Sequence, residues 1–155
     1  MKRLSQGGSI EPTRRLLEVA VAFGLYTVIA TAVGIAQRLP YQFGGAGDPN
    51  SVAQDALVHG TGISAPLIFV TVMIVLAYIA MRSIRARIPA ASLIALLSVV
   101  GIVAGLMEPA LRALDPVITP VAVLGLAIAV LLLAAALRVP LAPVREPEDR
   151  ELEHR

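Results

Sequence analysis

GTGISAPLIFVTVMIVLAYIAM, residues 60–81, runs for 22 residues without a charge. A helix rises ~1.5 Å per residue, so a run of this length covers the ~30 Å hydrocarbon layer of a bilayer. Three further stretches have the same character: 16–37, 88–107 and 116–137. Together they predict an all-α polytopic membrane protein, a bundle of four transmembrane helices. The runs are continuously apolar rather than alternating, which argues against a transmembrane β-barrel.

Composition agrees. Of the 155 residues, 57% are hydrophobic and 15% charged, with a mean hydropathy of +0.79; soluble domains carry about 25% charged residues. The chain has no cysteine, which removes disulfides, thiolate metal sites and covalent haem attachment through a C-x-x-C-H motif. Nothing in it suggests a nucleic-acid partner. All basic residues but Lys2 are arginine, and Ala, Val, Gly and Pro are abundant, a bias that points to a GC-rich bacterial genome.

The arginines also set the expected orientation. Lys2, Arg3, Arg14 and Arg15 precede the first run, Arg82, Arg85 and Arg87 lie between the second and third, and Arg138, Arg145, Arg150 and Arg155 follow the fourth. Only Arg38 and Arg112 fall in the other two loops. The positive-inside rule then places both termini in the cytoplasm of a bacterium whose inner membrane holds the four spans. The domain plan is a cytoplasmic segment 1–15, a transmembrane domain 16–137 and a charged cytoplasmic tail 138–155. TRRLL, residues 13–17, looks like a twin-arginine export motif. Because Glu18 follows it and the apolar run is longer than a signal core, the first helix reads as a retained anchor.

Helices in lipid gain nothing by hiding apolar surface from one another, so small residues and polar contacts hold them together. Ala20, Gly24, Thr27, Thr31 and Gly34 recur at helical spacing on one face of the first span. Gly101 and Gly105 form a GxxxG motif in the third, with Ser98 on the same side, and the fourth offers Gly125 and Ala129. The plain reading is packing within one chain; the sharper one is a homo-oligomer, or contact with other membrane subunits, through the GxxxG face. In the second span Ser51 and Gln54 fit a capping box, predicting a helix from Val52 to Met81 with a kink at residues 60–66, where Gly60, Gly62 and Pro66 weaken it. Asp115 before Pro116 predicts the capped start of the fourth helix.

No charged residue lies in the middle of a span, which disfavours a pump or ion-coupled transporter. Small multidrug transporters place a glutamate deep in their first span, whereas Glu18 sits near the end of this one beside Arg14 and Arg15. Polar residues gather instead at the expected outer face. Asp55 and His59 are four residues apart, Glu108 follows the glycine face, and Arg112 and Asp115 lie close in sequence. Three readings compete for this cluster: a clasp closing the bundle, a shallow site for a lipid head group, quinone or other small ligand, and a haem or metal site.

Four short spans, a polar first loop, His59 followed by Gly60, and a proline opening the fourth span give a pattern that resembles small uncharacterised four-helix integral membrane proteins of bacteria. Four-helix membrane cytochromes hold haem between facing histidines, and here the fourth span opens with Leu114-Asp115-Pro116 instead of a histidine. His154 would lie on the opposite side of the membrane from His59. Haem therefore needs Met107 or a second copy of His59 as the other ligand, and no cofactor is expected by default. No phosphate loop, HExxH or nucleophile elbow occurs. The sequence reads as a structural or accessory inner-membrane component without catalysis, with the alternative of a ligand-, quinone- or haem-binding protein using the cluster around His59.

Overall fold

Short connections and apolar runs order the chain as a succession of antiparallel helices. In the computed structural model residues 11–41, 48–107, 116 and 118–141 are described. Helix α1 spans Glu11–Ala36, α2 Val52–Asp55, α3 Leu67–Arg82, α4 Arg87–Met107 and α5 Ile118–Leu141. No β-strand occurs among the described residues. Prolines sit where a helix tolerates them: Pro12, Pro89 and Pro120 fall in the first turns of α1, α4 and α5, where the missing amide would have had no intrahelical partner.

The four longer helices form a ring. Helix α1 packs against α3 and α5, and α4 closes the ring by packing against the same two, while the diagonal pairs scarcely meet. Thr31 lies beside Ser64 and Gly24 beside Ile74, so α1 and α3 run in opposite directions. The turn 83–86 reverses the chain into α4, with Ala86 N–H donating to Ser83 Oγ at 3.3 Å.

The interior is built from smaller residues than the exterior. Ala20, Ala30, Ala77, Ala80, Ala91, Ala129, Ala136, Thr27 and Thr31 are buried, with Leu16, Met73, Ile94 and Leu132 among the few large side chains inside. Outside, Leu25 is 65% exposed, Ile29 64%, Leu96 60% and Leu131 59%. A water-soluble fold would invert this, since contiguous exposed aliphatic surface is unfavourable in water and neutral in lipid. All five residues of the Ala20–Gly34 stripe are buried.

Three helices are long and apolar enough to cross a membrane: Glu11–Ala36, Arg87–Met107 and Ile118–Val139. They mark the chain as a membrane protein. They match the expected runs 16–37, 88–107 and 116–137 with shifts of a few residues at the ends, the usual uncertainty of helix boundaries.

The second run differs. In place of one bent helix from Val52, the chain makes a short helix, continues in turns through His59, leaves helical geometry from Gly60 to Pro66, and starts α3 only at Leu67. Helix α3 has 16 residues, roughly 24 Å by its rise. The cause is local. Gly60 takes φ +80°, and a Cβ there would lie 2.9 Å from both Ala65 C and Pro66 N. Pro66, at φ −54° and ψ 132°, stands at the cap of α3 instead of inside it. A glycine in the left-handed region and a proline that prefers a helix start convert the expected kink into a break.

Candidate functional site

The break is folded into the ring and hydrogen-bonded there. Thr61 N–H donates to Ser64 O at 3.1 Å and Ser64 N–H to Thr61 O at 3.2 Å, closing a tight turn. Gly62 N–H donates to Leu39 O at 3.1 Å, and Ile68 N–H to Leu57 O at 3.2 Å. Leu39 is itself held by the end of α1, where Arg38 at φ 51° takes the left-handed position of a Schellman cap and Leu39 N–H reaches Gly34 O at 2.8 Å. Non-helical backbone at membrane depth is stable only where protein or a lined cavity surrounds it.

Side chains complete the attachment. Thr31 Oγ1 donates to Ser64 Oγ at 2.9 Å, and Ser64 Oγ and Thr61 Oγ1 share a proton bond at 2.8 Å. Gly34 lets the turn approach α1, since a Cβ at this position would lie 2.7 Å from Thr61 Cβ. Tyr26 reaches across to α5, its hydroxyl 2.8 Å from Val121 O and 3.2 Å from Ile63 O, with its ring lying over Gly125. Thr27 and Ser98 are satisfied within their own helices, donating to Phe23 O and Ile94 O at 2.8 Å each.

Beneath this turn the helices leave a cavity of about 250 Å³. Phe23 and Tyr26 of α1, residues 61–66, Phe69 and Met73 of α3, Leu97, Ser98, Gly101, Ala104 and Gly105 of α4, and Ala122, Gly125, Leu126, Ala129 and Leu132 of α5 line it. Tyr41 and Val100 complete the described wall, and none of the described lining residues carries a charge. The site is apolar, with a hydroxyl- and amide-bearing end at residues 61–66. That is the character of a small-molecule pocket.

Of the outer-face cluster expected from sequence, the two described members, Asp55 and His59, fall elsewhere. Asp55 and His59 do share one helical turn, His59 N–H donating to Asp55 O at 2.8 Å. Their side chains are close, with His59 Nδ1 3.8 Å from Asp55 Oδ1, a charge contact and not a hydrogen bond. Both are accessible, at 62% and 47% of the side chain, and neither lines the cavity. Ser51 forms no capping bond to the α2 backbone; its hydroxyl donates to Asp55 Oδ2. Glu108, Arg112 and Asp115 lie outside the described residues, as does most of the tail 138–155.

The four glycines proposed for packing divide in two. Gly24 and Gly34 face α3 and the turn at close range, a Cβ on Gly24 lying 2.8 Å from Ile74 Cδ1. Gly101 and Gly105 instead border the cavity: a Cβ on Gly101 would find Phe69 Cε1 at 3.9 Å, and one on Gly105 nothing within 4 Å among the described residues. At the other end of α1, Glu18 pairs with Arg14 at 2.9 Å and Glu11 with Arg15, both exposed.

Sequence reasoning located the break but read it as a bend, and so missed Thr31, Thr61, Ser64 and Tyr26 as a set. The available signal was two hydroxyl residues and two glycines crowded before a proline, facing a helix stripe that already contained Thr31 and Gly34. Among the described residues no three His, Asp or Glu side chains gather as a metal site would need. Comparison with protein families, curated proteins and solved structures finds no match to this chain.

Proposed function

We propose that the chain is a four-span protein of a bacterial inner membrane, with both termini cytoplasmic, acting as an accessory component that holds a small lipid-soluble ligand. The observation that carries the reading is the half-open cavity of about 250 Å³ bordered by all four long helices and by residues 61–66, with no charge among its described lining residues. In this reading the second span comprises α3 and the turn before it, the two together making up the length that α3 lacks. Arginine distribution supports the orientation, with the turn 61–66 on the cavity wall towards the outer leaflet because it meets Thr31 and Gly34, in the half of α1 opposite Arg14 and Arg15.

The ligand site is thereby moved from the His59 cluster to the cavity. His59 and Asp55 stand on an exposed shoulder, which suits a solvated contact better than a buried ligand set. The described lining residues are apolar or hydroxyl-bearing, which suits a binding role.

Purification in mild detergent followed by native mass spectrometry tests this. A small bound lipid should travel with the natural protein and be lost from Gly101→Leu, whose side chain would occupy the cavity. Identical spectra for the two would sink the reading. Orientation is tested separately because the chain has no cysteine: Asp48→Cys should react with an impermeant reagent on intact cells, and Arg85→Cys only after permeabilisation.

A further inference from the structure

The chemistry of the ligand's polar end follows from a count of protons at the floor of the cavity; this inference rests on the binding reading above. Thr31, Ser64 and Thr61 carry three hydroxyl protons. Two are used within the chain: Thr31 Oγ1 donates to Ser64 Oγ, and one proton lies between Ser64 Oγ and Thr61 Oγ1. Either residue of that pair is able to donate to the other, and whichever accepts keeps its own proton without an acceptor among the described residues. Thr61 is 2% exposed and Ser64 8%, and both line the cavity.

A buried donor without an acceptor is unfavourable, so a ligand offering an acceptor gains by filling that place. A second feature has the same sign. Helix α3 begins at Leu67 on this wall, and the first amides of a helix present a positive end to whatever lies before them. Both features favour an oxygen acceptor and disfavour an amine or a cation. An ionised acceptor is disfavoured in turn, because none of the described lining residues is charged to balance it in an apolar site.

We propose that the cavity binds a neutral, lipid-soluble molecule through a carbonyl oxygen accepting from the Thr61–Ser64 hydroxyl pair, its apolar body lying among Phe23, Tyr26 and Phe69. The rings of Phe23 and Tyr26 are stacked at 20° with centroids 6.3 Å apart. Such walls favour a flat ring over a flexible chain, so a quinone is the source favoured over an ester lipid. The binding step involves no electron transfer.

Three probes of equal tail length distinguish the outcomes, measured by equilibrium titration of the full chain in detergent: a benzoquinone bearing a ten-carbon tail, a methyl ester of the corresponding fatty acid, and decylbenzene. The quinone should bind most tightly. The double substitution Thr61→Val with Ser64→Ala should weaken the quinone about tenfold, the loss of one buried hydrogen bond, and leave decylbenzene unchanged. Both hydroxyls are removed because either alone still supplies a donor, and retained decylbenzene binding shows that the cavity has survived. An ester that binds as tightly as the quinone, and is weakened equally, supports the carbonyl head and names the ester as the source. Equal loss of all three probes in a double variant whose unfolding transition matches that of the natural protein overturns the carbonyl assignment. So does a double variant that binds every probe as before, although the cavity reading then stands. Failure of every probe on the natural protein removes the cavity reading itself.

Discussion

Two pairs of glycines in this chain behave differently in space. Gly60 lies in the break before α3 and Gly34 faces it from α1, and Gly101 and Gly105 form the GxxxG stripe of α4. At the first pair the backbone of one segment lies against another and no Cβ fits; at the second, the described neighbours stand back and leave a cavity. Helical spacing of small residues therefore shows where a close approach is allowed, and only the neighbouring segment shows whether it happens. Here the permissive stripe serves to leave room, and the contact that the ring depends on is made by a turn.

Substitutions at the two places should separate this picture from its alternatives. Gly60→Ala carries the largest expected effect. It imposes a left-handed conformation on a residue with a Cβ, costing roughly 1–2 kcal/mol, and overlap with residues 64–66, costing roughly 1–3 more. Unfolding of the variant in detergent should move by about that sum, and a shift under 1 kcal/mol would mean that the turn does not hold this geometry.

Gly34→Ala should cost about 1–3 kcal/mol by pressing on Thr61, whose hydroxyl is tied to Ser64 and which cannot swing away cheaply. Gly125→Ala should cost a similar amount, because its methyl would strike the Tyr26 ring, held in place through Val121 O. Relief of the second cost by Tyr26→Leu in a double-mutant cycle would tie the effect to that ring.

Gly105→Ala belongs at the other extreme. With open space around it the added methyl should leave stability unchanged or raise it by about 0.5–1 kcal/mol, the helix preference of Ala over Gly. A clear loss, together with a change in oligomeric mass, would show that this face meets a second copy and would reverse the comparison. His59→Ala should be the least visible, within about 0.5 kcal/mol, since its side chain is exposed and its contact with Asp55 is an accessible one.

Much of the architecture was legible in the residues. Runs of about 20 apolar positions predicted helices at the right places because an apolar helix is the one structure that satisfies every backbone group of such a run. The Ala20–Gly34 stripe was legible for the same kind of reason, one face of a single helix being a local property. The second span was harder. Gly60, Gly62 and Pro66 announced a disturbance, but whether the chain bends or breaks depends on partners for the freed amides and carbonyls. Those partners, Leu39, Leu57 and the hydroxyl of Tyr26, are up to 37 residues away in sequence.

The site was less legible still. Charge and histidine drew the eye to Asp55 and His59, which the fold leaves on an exposed shoulder, while the cavity is lined by residues of no individual distinction. Hydropathy and spacing alone determined a membrane protein with long apolar helices, because transfer of a side chain into lipid is a property of that residue. The cavity, the break before α3 and the hydroxyl contacts among Thr31, Thr61 and Ser64 were decided only by tertiary structure. Each depends on which groups from distant segments share a space, and on which hydrogen bonds remain to be made once they do.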